Sequence, residues 1–147
     1  MNEIRFWRSS DPFGCLNNFY AAPIEIDGKI WPTTEAYYQA MKFADESLQE
    51  FVRLAPNPKE AKTRAYQFPN ALRSDWDEVK ESVMIAALRA KISQHPRIRE
   101  KLLESGNARL IEASPYDLYW GEGKDKKGKN RLGELLMQIR NELCQSM

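Results

Sequence analysis

The stretch Thr33-Thr34-Glu35-Ala36-Tyr37-Tyr38-Gln39-Ala40-Met41-Lys42-Phe43 reads as a helix with little surface left for water. Alanine, tyrosine, methionine and phenylalanine fill much of it, so it lacks the solvated polar face of an ordinary exterior helix. The polar residues that remain fall together, with Glu35, Tyr38, Gln39 and Lys42 at i, i+3, i+4 and i+7. An acid, a phenol, an amide and an amine in one stripe have two readings. Either they face a cleft and line a site, or the helix is half-buried with a snorkelling lysine and a structural ion pair.

A chain of 147 residues is long enough for one continuous hydrophobic core without disulfides or a structural metal, so a single domain over residues 1–147 is expected. Charged residues make up 29% and hydrophobic ones 42%, which argues against disorder. The formal net charge of +1 demands neither nucleic acid nor an anionic membrane as partner. The start, Met1-Asn2-Glu3-Ile4-Arg5, has no basic segment followed by an apolar core, and no window approaches membrane-spanning length. The expected location is cytoplasmic. Cys15 and Cys144 are too few for a disulfide framework and lack metal-ligand spacing, so reduced thiols are expected. The one histidine, His95, stands in a Gln94-His95-Pro96 turn. A general acid or base must therefore be a carboxylate, a lysine or a tyrosine.

The local signals alternate at first and are helical later. Glu3 to Arg8 reads as a short strand ended by Ser9 to Gly14, and Ile24 to Trp31 as a β-hairpin turning on Asp27-Gly28. Pro32 closes the second strand, and Thr33 or Thr34 can cap the helix that follows. Asn57-Pro58 opens a helix over Lys59 to Gln67, and Ser74-Asp75-Trp76-Asp77 opens a longer one to Ser93. Pro96 starts another that ends at Gly106, and Arg109 to Ala113 suggests a strand. Ser114 to Asn130 reads as an extended loop, after which Leu132, Leu135, Leu136, Ile139 and Leu143 form the buried stripe of a terminal helix. The fold class is α+β: a helix-dominated single domain with a small antiparallel sheet or hairpin near the amino terminus.

Four further groups carry chemistry. Leu16-Asn17-Asn18-Phe19-Tyr20 sets amides beside rings, which suits either stacking of a heterocycle or an Asx-type turn. Ser114 to Gly123 places Asp117 and Glu122 among Tyr116, Tyr119 and Trp120, with Gly121 and Gly123, and Trp120 can stack a flat substrate or anchor the loop. Lys124, Lys126 and Lys127 read as an exposed basic loop, whereas Lys129 and Asn130, nearest the last helix, suit a phosphate. Arg73 to Asp77, with Lys91, reads as mainly structural.

No Gly-x-Ser-x-Gly, triad histidine or His/Cys metal cluster is present, so serine, cysteine and zinc hydrolysis lack support. A lysine and carboxylates survive. A lysine amine becomes nucleophilic when desolvation or a neighbouring cation lowers its pKa, and it then forms a Schiff base at a carbonyl or glycosidic carbon. Two carboxylates cleaving a glycosidic bond are the related alternative.

At these same residues the chain resembles the NADAR or YbiA-like family. The matching pieces are Leu16 to Tyr20, Ile26-Asp27-Gly28-Lys29, Pro32 to Phe43, Ala87-Leu88-Arg89-Ala90-Lys91, Tyr119-Trp120-Gly121 and Gly128-Lys129-Asn130-Arg131-Leu132-Gly133. The resemblance implies an N-glycosidase acting on N-ribosides, either phosphoribosylaminopyrimidine intermediates of riboflavin biosynthesis or, in other members, ADP-ribose on guanine in nucleic acid. It implies a lysine attacking the anomeric carbon, which falls on Lys42, and functional positions at Glu35, Asp117 and Trp120. Ala36 stands where relatives often carry histidine, Tyr38 and Met41 replace commoner phenylalanine and glutamine, and Asn17 replaces a frequent serine.

The expected catalytic set is therefore Lys42, Glu35 and Asp117, and the expected binding set is Asn18, Phe19, Tyr38, Gln39, Trp120, Gly121, Lys129 and Asn130. Neither a metal nor another cofactor is needed. The expected partner is a small riboside phosphate, with no membrane, and nucleic acid enters only under the ADP-ribose alternative or that of a non-catalytic nucleotide-binding module. Oligomeric state is left open.

Overall fold

In the computed structural model, which describes residues 2–147, Asp27 and Gly28 take φ values of 53° and 80°. Two successive positive φ angles match the right-handed twist of the strands they join. They connect β2 (Ile24–Ile26) to β3 (Lys29–Trp31) in an antiparallel pair with Ile24 opposite Trp31. Six α-helices and four strands make up the regular structure of the described residues, a helix-dominated α+β protein. They divide into two compact units, Ala21–Gln94 and the segment up to Tyr20 together with His95–Met147.

In the Ala21–Gln94 unit the hairpin leads into α1 (Thr34–Ala40), whose seven residues are all buried. Thr33 begins it, extended at φ −151°, with Oγ1 accepting from the Ala36 N–H at 3.0 Å. Around α1 lie α2 (Glu46–Arg53), α3 (Pro58–Tyr66) and α4 (Trp76–Gln94). Ala36, Ala40, Ala61, Ala65 and Ala87 let these helices approach closely around Trp31, Tyr37 and Phe43. The helix is shorter than its sequence suggests. It stops at Ala40, and Met41 and Lys42 form a tightened turn in which the Lys42 and Phe43 N–H groups donate back to Gln39 and Ala40. Phe43 then pairs with Leu72, and the Lys42 carbonyl accepts from the Arg73 N–H at 2.8 Å, so a distant segment claims the groups that would extend the helix.

In the other unit β1 (Glu3–Phe6) pairs with β4 (Arg109–Glu112) in parallel, Phe6 opposite Glu112. β1 ends before the expected Arg8 because Asp11 Oδ2 takes the Trp7 and Arg8 N–H groups, each at 2.8 Å, into a turn. The antiparallel pairing expected near the amino terminus is thus confined to the hairpin. Alongside lie α5 (Pro96–Glu104) and α6 (Arg131–Gln145), the latter burying Leu132, Leu135, Leu136 and Ile139. Leu143 is only half-buried. Gly133 is required where α6 begins, since a Cβ there would strike the Leu110 carbonyl. No described helix is long and apolar enough to cross a membrane.

Candidate active site

The stripe read from α1 exists, and its members differ in surroundings. Glu35 and Gln39, one turn apart, are 8% and 3% exposed. Gln39 Nε2 donates to Glu35 Oε2 at 2.7 Å, while no protein group meets Gln39 Oε1. Tyr38 is buried with its ring 5.1 Å from that of Trp76. Lys42 stands just past the helix, half-buried. Its Nζ lies 4.8 Å from the Tyr66 ring centroid and 5.7 Å from that of Tyr38.

Among the described residues no carboxylate lies within ion-pair distance of Lys42, so the structural ion pair of the alternative reading is not formed. Burial holds the Lys42 pKa below its ordinary value, the charge of Glu35 opposes this, and that of Lys62 lowers it further. A depressed pKa leaves more free amine near neutral pH, the form that attacks carbon. Lys62 reaches the same ring, 5.8 Å from the Tyr66 centroid.

Sequence reasoning passed over Lys62 and Tyr66, although their i, i+4 spacing on α3 puts them on one face. It took Trp76 for a packing residue, and the ring does pack, on Tyr38. Arg73 and Asp75, in the group read as mainly structural, pair with each other at 2.6 and 3.0 Å. Lys91 is 1% exposed on α4.

The other unit holds the remaining candidates. Asp117 Oδ1 accepts from the N–H groups of Tyr119 and Trp120 at 3.0 and 2.8 Å, closing the turn that presents them. The two rings meet edge to face at 4.8 Å, with Trp120 buried and Lys129 Nζ 5.5 Å from the Tyr119 centroid. A Cβ on Gly121 would displace Glu112 Oε2 and crowd the backbone carbonyls of Glu112 and Asp117 at 3.0 and 3.1 Å.

Asn130 is tied into the scaffold. It is 2% exposed, its Oδ1 accepts from the Glu112 N–H and its Nδ2 donates to the Leu110 carbonyl, each at 2.9 Å. The side chain therefore pins β4, and its φ of 52° starts α6 in the left-handed region that asparagine tolerates. Asn18 is buried, and Phe19 is 38% exposed. Just before them Asn17 makes the Asx-type turn, accepting from the Phe19 N–H at 2.8 Å and donating to the Trp7 carbonyl. Each unit thus gathers its own part of the candidate set, the amine and buried acid in one and the ring-bearing loops in the other.

A model of the NADAR domain matches residues 5–144. The N-glycosidase YbiA of Escherichia coli (strain K12) is 47% identical over 141 residues, spanning 96% of this chain and 88% of that protein. The chloroplastic riboflavin biosynthesis protein PYRR of Zea mays is 40% identical over 158 residues, 97% of this chain and 25% of its own. The NMR structure of E. coli YbiA superposes with a TM-score of 0.91 at 46% identity, covering 99% of this chain and 86% of that one.

Proposed function

The chain belongs to the NADAR family and is a hydrolase acting on N-glycosyl compounds, and from that footing we propose that it cleaves phosphoribosylaminopyrimidines of the riboflavin route through a Schiff base on Lys42. What carries this reading is the state of that amine: partly desolvated, set over Tyr66, near a second cation and without a carboxylate partner. The names of relatives from maize and from Vibrio vulnificus, both riboflavin biosynthesis proteins, favour that substrate class.

The steps follow from the amine. Ring opening of the N-riboside leaves an imine at the anomeric carbon. The neutral Lys42 Nζ adds there, and a proton passes to the departing nitrogen. The bond from that carbon to the pyrimidine amine breaks, the aminopyrimidine leaves neutral, and the carbon stays joined to Nζ as a Schiff base. Water adds to it, the carbon–Nζ bond breaks, and ribose 5-phosphate departs as the aldehyde with the amine restored. Glu35, the buried acid one turn from Gln39 in the unit of Lys42, carries the proton; Asp117, whose Oδ1 closes a loop turn, is the second carboxylate.

In the other unit Phe19 and Trp120 provide stacking surface, with Asn18 and Gly121 beside them in sequence, and the exposed Lys129 provides a cation for phosphate. Asn130 shapes that loop and is left out of direct phosphate contact. A cytoplasmic setting and the clearing of reactive intermediates belong to the same proposal.

Turnover tests it. Incubation with a phosphoribosylaminopyrimidine and, separately, with ADP-ribosyl-guanine DNA should release free sugar from the first. Release from the DNA alone would reassign the substrate, and release from neither would leave a nucleotide-binding module.

A further inference from the structure

Two buried side-chain polar atoms among the described residues have no protein partner, Trp31 Nε1 and Gln39 Oε1. Trp31 belongs to the apolar cluster of its unit, its ring edge-on to Tyr37 at 5.2 Å. Gln39 stands apart because it shares the stripe of Glu35 and Lys42 and already makes one strong contact, from Nε2 to Glu35 Oε2 at 2.7 Å. That contact fixes which way the amide points. An ionised carboxylate only accepts, so the amino end faces Glu35 and the carbonyl turns away.

A buried carbonyl without a hydrogen bond is costly, and donation from the same amide to a carboxylate makes its oxygen a stronger acceptor still. Holding Glu35 in place explains Nε2 and leaves Oε1 unexplained. The oxygen calls for a donor, and a sugar hydroxyl supplies one. Of the sugar hydroxyls, that on C2 is the one carried by the carbon next to the anomeric centre. It also survives unchanged from the N-riboside through the Schiff base to the released aldehyde.

We propose that Gln39 Oε1 accepts a hydrogen bond from the substrate's 2-hydroxyl and thereby selects ribosyl over 2-deoxyribosyl N-glycosides. The assignment rests on the Lys42 chemistry proposed above, since that chemistry brings the anomeric carbon to this stripe. Gln39 acts as a specificity-determining acceptor, and Glu35 orients it.

The test compares kcat/KM on a phosphoribosylaminopyrimidine and its 2-deoxyribosyl counterpart. Wild type should prefer the ribosyl substrate by about 10- to 100-fold. Gln39→Met, similar in length but without the carbonyl, should bring the ratio close to one, chiefly by losing rate on the ribosyl substrate. Glu35→Gln can donate as well as accept and so no longer fixes which way the Gln39 amide points; it should slow both substrates and lower the ratio towards one.

A second readout needs no turnover: the shift in melting temperature produced by D-ribose 5-phosphate against 2-deoxy-D-ribose 5-phosphate. Wild type should distinguish the two sugars and Gln39→Met should not. A wild type that turns over both substrates equally, or a Gln39→Met protein that keeps the full preference, would overturn the assignment while leaving the N-glycosidase reading intact. If neither substrate turns over, that reading falls, and the sugar-phosphate melting shifts decide this inference alone: distinction in wild type lost in Gln39→Met supports it, and no distinction overturns it.

Discussion

Lys42 has two charged neighbours of opposite effect, and each should leave its own mark on the pH profile. Burial lowers its pKa, Glu35 pulls it back up, and Lys62 pushes it down. The acid limb of kcat/KM should therefore rise through a Lys42 pKa below the ordinary 10.5. Lys62→Met removes the like charge and should move that limb to higher pH. Glu35→Gln removes the opposite charge and should move it lower, at a loss of about 10²-fold or more in kcat. Limbs that stay put in both variants would separate Lys42 from the rate. Stability should respond in the same sense. With its native pKa depressed, Lys42 binds its proton more readily in the unfolded chain, so the charge destabilises the fold below the native pKa and the penalty fades as pH climbs towards 10.5. Lys42→Met should melt above wild type at neutral pH, the gap closing near that upper value. The stripe of Glu35, Tyr38, Gln39 and Lys42 was legible because helical periodicity alone aligns it. Lys62 and Tyr66 were not, because α3 reads as an ordinary surface helix until another segment brings Lys42 over it.

Turns and caps proved the most readable elements, since each depends on a few adjacent residues. Asp27-Gly28 makes its hairpin turn, and Thr33 and Asn57 cap α1 and α3. Thr33→Ala should cost about 1 kcal/mol of unfolding free energy in urea, and Thr33→Ser much less. The carboxyl end of α1 was misread, because Phe43 pairs with Leu72 and no local signal announces that partner. Asn130 was misweighted for a similar reason. Beside a lysine at a helix start it reads as a phosphate ligand, yet its amide answers the Glu112 N–H and the Leu110 carbonyl. Asn130→Ala leaves both buried groups unmet and should cost about 2–5 kcal/mol. A loss below about 1 kcal/mol, together with a large rise in KM, would return Asn130 to substrate binding.

Across the whole molecule the α+β class was readable from periodicity, whereas the parallel pairing of β1 with β4 was not. Strands so far apart in sequence carry no mutual signal, and their pairing is selected by burying Phe6, Leu110 and Ile111. The Arg109 N–H donates to the Asn2 carbonyl at 2.8 Å and the Ala113 N–H to that of Phe6 at 2.9 Å. Deleting residues 2–6 should therefore abolish hydrogen-exchange protection at Arg109 and Ala113, and Phe6→Ala should cost about 3–5 kcal/mol. The NADAR match over residues 5–144 takes in both units, so residues of both are open to functional test. The claim on which the rest depends is that Lys42 becomes covalently joined to the sugar. Borohydride added during turnover of a phosphoribosylaminopyrimidine, followed by peptide mapping in a mass spectrometer, tests it most directly. A reduced pentose-phosphate adduct should appear on the Lys42 peptide and be absent from Lys42→Ala, which should also have lost at least about 10³-fold in rate. An adduct on another lysine, or full activity in Lys42→Ala without any adduct, would contradict it.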